Sequence, residues 1–108
     1  MSAGKRVKVE DLTVGGGPIA EPGHVITIRY DLYLRRGDCL ARGVECTVDL
    51  SKRETIAGLR YGVEGMRVGG RRKIRVGPHL AYGDEGAGTV PPKAVLVFVV
   101  DLLSSRTP

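Results

Sequence analysis

The alternation across residues 24–34 constrains this chain more than any other feature. Ile26, Ile28, Tyr30, Leu32 and Leu34 fall on one side of an extended backbone, and Val25, Thr27, Arg29, Asp31 and Tyr33 on the other. Successive strand side chains point to opposite faces, so the segment is one strand of a sheet with its first face on a core. That face is apolar apart from one phenol. Val44, Cys46, Val48 and Leu50 alternate in the same way with Glu45, Thr47, Asp49 and Ser51. Arg36-Gly37-Asp38 lies between the two runs and reads as a hairpin turn.

The remaining segments extend the same reading. Residues 5–9 alternate basic and apolar side chains and form a half-buried strand, which 11–14 continue past a bend. Gly15-Gly16-Gly17-Pro18 and Glu21-Pro22-Gly23 are breaks, and the stretch between them is expected to be loop. The period changes at 55–63, where Ile56, Leu59 and Val63 form the stripe of a short helix. Gly58 and Gly62 each cost that helix about 1 kcal/mol relative to alanine. Either tertiary packing holds the helix, or glycine is needed there for close approach. Residues 71–76 form a strand with Ile74 and Val76 inward, and 77–92 a long Gly/Pro loop. Residues 94–103 are apolar on both faces as far as Asp101, the pattern of a strand inside a sheet. About five strands, one helix and short connections make an antiparallel α+β domain, the helix covering one face of the sheet.

With 108 residues the chain has room for one domain. We read 1–108 as that domain, with 1–4 and 104–108 frayed. Its five aromatic residues and absent tryptophan leave Val, Leu and Ile to build the core. No apolar run reaches the ~18 residues of a membrane span, and no secretory signal opens the chain. A soluble, cytoplasmic monomer is expected, with no membrane partner.

Charge and chemistry exclude more than they assign. The net charge of +5 rests on clusters such as Arg67, Arg71, Arg72, Lys73 and Arg75, and Arg35, Arg36 and Arg42. No helix-turn-helix or base-stacking strand accompanies them, so they read as solvated surface without specific nucleic-acid binding. Cys39 and Cys46 are the only cysteines and have no metal-ligand spacing, so no metal is expected; the pair leaves room for one disulfide, and two buried thiols are the expected state. Ser51, Ser104 and Ser105 lack a nucleophile-elbow context, and no phosphate loop follows the glycine runs. A catalyst of this composition works through shape and desolvation, with no cofactor.

The C-terminal half resembles the FKBP-type prolyl isomerases. The resemblance is carried by Thr55-Ile56-Ala57-Gly58-Leu59, Gly62-Val63, Met66-Arg67-Val68-Gly69-Gly70-Arg71-Arg72 and Pro78-His79-Leu80-Ala81-Tyr82-Gly83. It continues through Val90-Pro91-Pro92 and Leu96-Val97-Phe98, and Tyr30 extends it to the N-terminal half. It implies a bent antiparallel sheet of five to six strands wrapped around one short helix, and an apolar pocket for a prolyl ring. Residue by residue, it implies that the Ile56 amide and the Tyr82 hydroxyl hydrogen-bond the substrate. Thr55, Leu59, Tyr30, Phe98, Ala81 and Val90 would line the pocket. Leu40-Ala41 stands where the family pattern reads Phe-Asp, and Cys46 where an aromatic is usual. Leu40 and Cys46 therefore complete the candidate wall with smaller groups. The implied activity is peptidyl-prolyl cis-trans isomerisation in protein folding, with proline-containing polypeptides as partners and macrolides of the family as inhibitors. The alternative is a binding module of the same fold with little turnover.

Overall fold

A one-sided strand becomes stable only when its neighbours supply both the ladder and the core. The alternating 24–34 segment finds neighbours on both edges. The computed structural model describes residues 7–53 and 55–107. Strands β1 (Val7–Thr13), β2 (Val25–Leu34), β3 (Cys39–Asp49), β4 (Arg71–Val76) and β5 (Leu96–Arg106) form one sheet in the order β1-β4-β5-β2-β3. Every pairing is antiparallel. One helix, α1 (Ala57–Val63), links β3 to β4. The strand that is apolar on both faces, β5, occupies the centre of the order.

Register sorts the side chains into two faces. On the inner face Val7, Val76, Leu96 and Leu34 lie in one row across β1, β4, β5 and β2, and Val9, Ile74, Phe98 and Leu32 in the next. Ile26, Ile28, Ile74, Val76, Leu96 and Val100 are fully buried. Opposed residues on the outer face are mostly charged or partly exposed. The sheet is therefore amphipathic in the sense the alternation requires.

Two glycines set the distance between helix and sheet. A Cβ at Gly58 would overlap the Val76 side chain, and one at Gly62 would stand 2.5 Å from Ile74 Cγ2. Val76 and Ile74 are themselves buried, so neither can yield cheaply. The alternative left open by the sequence is resolved in favour of close approach. Arg72 then locks the contact. Its Nε and NH2 meet the two Asp11 oxygens of β1 at 2.7 and 3.4 Å. Its NH1 donates to the Gly62 and Glu64 carbonyls at 2.9 and 3.1 Å. The guanidinium thus satisfies orphan carbonyls at the helix C-terminus and carries a favourable charge there. Its side chain is only 11% exposed, so these bonds replace most of its water.

Several boundaries differ from the sequence reading. Strand β3 begins at Cys39 rather than Val44, because register shifts opposite Tyr30, Leu32 and Tyr33 let 39–43 pair without strict alternation. Helix α1 starts at Ala57, and Ile56 is its extended N-cap (φ −60°, ψ 145°). Strand β5 runs to Arg106, so Ser104–Arg106 do not fray: Ser104, Ser105 and Arg106 pair with Thr27, Ile26 and Val25. The stretch expected to be loop at 19–20 pairs Ile19 with Arg67 and buries Ala20 completely. Cys39 is exposed rather than buried, and Cys46 is half-buried; both are free thiols. The fraying expected at 1–4 and the strand start expected at Lys5 and Arg6 fall outside the described residues. Among those described, no helix is long and apolar enough to cross a membrane.

Gly58→Ala tests the close approach. Helix propensity alone makes alanine better by about 1 kcal/mol, whereas overpacking costs about 1–3 kcal/mol. We expect a lower urea midpoint for Gly58→Ala. The Gly58→Ala/Val76→Ala double variant should lose less than the sum of its single variants. A Gly58→Ala chain as stable as the parent contradicts the packing argument.

Candidate functional site

The inner rows of β2 and β5 bring two rings together. Leu32 stands directly opposite Phe98, and Tyr30 opposite Val100. The Tyr30 and Phe98 rings meet edge to face, centroids 5.5 Å apart at 65°. Such a pair stabilises by about 0.5–1.5 kcal/mol beyond area burial, and it fixes both rings. Phe98 is 3% exposed, whereas Tyr30 is only half-buried. The tyrosine is thus the part of the pair that a ligand can reach.

Helix α1 supplies the adjoining side. Leu59 is buried within the same apolar cluster as Phe98, and Ile56, half-buried, packs against it. As the extended N-cap, Ile56 keeps its own N–H outside the helix ladder, and no backbone acceptor among the described residues takes it. The site therefore offers one fixed donor beside an apolar surface.

The 77–92 segment is more ordered than a long Gly/Pro run suggests. A single 3₁₀ turn, Pro78–Leu80, opens it. Ala81 and Gly83 then donate to the Pro78 carbonyl at 2.9 and 2.7 Å. Ala87 and Val90 exchange both backbone bonds, and Lys93 donates to Gly83. The loop is closed on itself, with Val90 buried and Ala81 packed on the core. Tyr82 is 40% exposed at its tip side, an aromatic that the core does not require.

Strand β3 completes the wall. Cys46 is opposite Ile28, Val44 opposite Tyr30, and Ala41 opposite Leu32. Burial, and then the neighbouring Cys46 and Tyr82, push the Tyr30 phenol above its ordinary pKa. Burial also raises the Cys46 thiol. Both groups are neutral at neutral pH, so the surface stays uncharged. No side-chain partner among the described residues hydrogen-bonds the Tyr30 hydroxyl, and Ala41 offers none.

Of the residues singled out in the sequence, Leu59, Val90 and Phe98 are in the buried cluster. Tyr30, Leu40, Cys46, Ile56 and Ala81 pack against it part-buried. Tyr82 reaches the group through its proximity to Tyr30. Thr55 is part-buried outside the cluster, where its carbonyl accepts from Arg60 Nε at 3.3 Å. Leu32 is a wall residue that motif matching did not single out. The alternation at 24–34 was the signal for it. The arrangement can bind an apolar ring and grip one carbonyl.

A family model described as FKBP-type peptidyl-prolyl cis-trans isomerase matches residues 17–103. The chain is 42% identical over 101 residues to the 46 kDa FK506-binding nuclear protein of Spodoptera frugiperda, covering 89% of this chain and 24% of that protein. It is 36% identical over 103 residues to an FK506-binding protein of Streptomyces anulatus, covering 89% of this chain and 83% of that one. The N-terminal domain of FKBP42 from Arabidopsis thaliana superposes with a TM-score of 0.85 at 26% identity, over 93% of this chain and 86% of that one. The chain spans about a quarter of the length of the first curated relatives it matches.

The raised pKa values give a pH signature. The unfolded chain ionises its thiol and phenol at their ordinary values, while the fold holds Cys46 and Tyr30 protonated. Their contribution to stability is therefore intact below about pH 8.5 and is lost as the pH rises through the folded values. Urea midpoints measured from neutral to alkaline pH should fall less steeply for Cys46→Val/Tyr30→Phe than for the parent. Equal slopes would place the alkaline loss elsewhere.

Proposed function

The chain belongs to the FKBP-type peptidyl-prolyl cis-trans isomerase family, and on that premise we propose that it isomerises X–Pro bonds in polypeptides, with 1–108 acting as one domain. One observation carries the proposal. The Tyr30–Phe98 pair shares one apolar cluster with Leu59 of helix α1 and with Ile56, and the Ile56 N–H, at the helix N-cap, lies outside the helix ladder. An apolar surface and a fixed donor are what this reaction needs.

The barrier to rotation, about 18–20 kcal/mol, comes from amide resonance. Twisting removes the resonance and with it the charge separation of carbonyl and nitrogen. An apolar wall therefore favours the twisted amide over the planar, polar one. In the proposed roles Tyr30, Leu59, Phe98, Val90 and Ala81 enclose the prolyl ring. The Ile56 N–H holds the backbone carbonyl while the bond turns, and the Tyr82 hydroxyl holds the chain beside it. Thr55, Leu40 and Cys46 form the rim. Catalysis is then differential stabilisation of the twisted state, assisted by positioning. We extend the proposal to macrolide ligands, since relatives carry FK506 binding in their names. We also propose a monomer acting in the cytoplasm, supported by two unpaired thiols of the kind a reducing compartment maintains.

A second reading has its own support. Leu40, Ala41 and Cys46 present a smaller wall and no carboxylate beside Tyr30, which favours a binding module with weak turnover.

The X–Pro peptide isomerisation assay separates the two. We expect acceleration by the parent protein at micromolar concentration. Leu40→Phe/Cys46→Phe should raise kcat/KM by several-fold to about tenfold, the equivalent of about 1.4 kcal/mol. Tyr82→Phe should lower it by a few-fold. Tight binding of the peptide without acceleration would establish the binding module and overturn the enzymatic proposal.

A further inference from the structure

The outer face of the sheet carries a feature that the pocket does not use. Register places Lys8, Arg75, Val97 and Tyr33 in one row across β1, β4, β5 and β2, and Glu10, Lys73 and Val99 in the next. Two adjoining depressions of about 430 and 480 Å³ lie over these rows and share Glu10, Arg35, Lys73 and Val97. A third, of about 450 Å³, continues past Arg35 and Val95 to Lys93 and Pro91. Together they form a groove across the sheet. Its floor is aliphatic, with Val95, Val97 and Val99 part-exposed beside the Tyr33 ring.

The rim is cationic beyond what folding needs. Lys8, Arg35, Arg71, Lys73, Arg75 and Lys93 line the three depressions, and none has a carboxylate within salt-bridge distance among the described residues. Arg36 is the exception, at 2.8 Å from Asp38. Glu10 is the only acid in the linings. The other carboxylates of this face are engaged or distant from the floor. Glu45 pairs with Arg29, Asp31 accepts the Gly43 N–H, and Asp101 lies opposite Arg71 and Arg29. Among the described residues, six cations without an ion pair therefore surround a valine floor.

We propose that this groove docks an extended acidic polypeptide whose carboxylates alternate with aliphatic side chains. Such a segment lays its aliphatic side chains on Val95, Val97 and Val99, while its carboxylates, on the opposite face, are met by the long lysine and arginine side chains that rise from the rim. Charge complementarity of this kind sets partner choice and association rate. Nucleic acid fits less well. The valine floor gives bases little aromatic surface for stacking. The groove is separate from the Tyr30–Phe98 wall, which faces the opposite side of the sheet.

The test is a fluorescence-anisotropy titration with a labelled peptide alternating glutamate and valine. Polyglutamate of equal length and random duplex DNA are the competitors. The alternating peptide should bind best, with polyglutamate weaker by about tenfold or more because it leaves the floor uncovered. Lys73→Glu/Arg75→Glu should weaken peptide binding by at least about tenfold. Milder Lys73→Gln/Arg75→Gln should lose several-fold, which keeps the test valid where charge reversal disturbs folding. The rate of X–Pro isomerisation should not change in either variant. Equal binding of polyglutamate, tighter binding of DNA, or indifference to both double variants would overturn the proposal.

Discussion

The approach of α1 to the sheet is the contact on which the rest of this structure depends. Gly58 and Gly62 let the helix rest on Val76 and Ile74 at a distance no side chain permits. Two glycines in a seven-residue helix are a poor choice for local stability. Packing offsets that loss, and Arg72 fastens the arrangement from the β4 side. One guanidinium joins β1 to the helix terminus, through Asp11 and the Gly62 and Glu64 carbonyls. The helix start is thereby fixed against the sheet, and with it the direction of the Ile56 amide.

A helix fixed in this way closes most of the inner sheet face into core. Ile26 and Ile28 of β2, Ile74 and Val76 of β4 and Leu96 of β5 are fully buried. Tyr30, Leu40 and Cys46 of β2 and β3 are only partly covered. This partly open patch is apolar and uncharged, because burial holds both the phenol and the thiol in their protonated forms. Chemistry that needs no proton transfer can use such a surface. Rotation about an amide bond is chemistry of that type, since its transition state is less polar than its ground state.

Much of this was legible in the sequence, and the reasons differ from element to element. Strand β4 was read at its observed bounds, because alternation and the flanking glycines agree there. The central place of β5 followed from its two apolar faces. The start of β3 was not legible: residues 39–43 pair through register shifts, and a shifted strand leaves no period-2 trace. The order inside 77–92 was hidden for a related reason. Its bonds run between Pro78, Gly83, Ala87, Val90 and Lys93 by turn geometry rather than by periodicity. At the site, the ring pair and the helix start came from the family resemblance, whereas Leu32 was available from the alternation alone. The outer groove was invisible, because it is assembled from residues on β1, β2, β4 and β5 that only the sheet order brings together.

The Ile56 amide is the most direct test of the account, because every step places a substrate carbonyl there. Backbone amide NMR of the protein titrated with an X–Pro peptide should show the Ile56 proton moving downfield on gaining its acceptor. Smaller shifts should appear at Tyr30, Leu59 and Phe98. A peptide that is isomerised while the Ile56 resonance stays unmoved, or that shifts only the outer rows of β4 and β5, would contradict it.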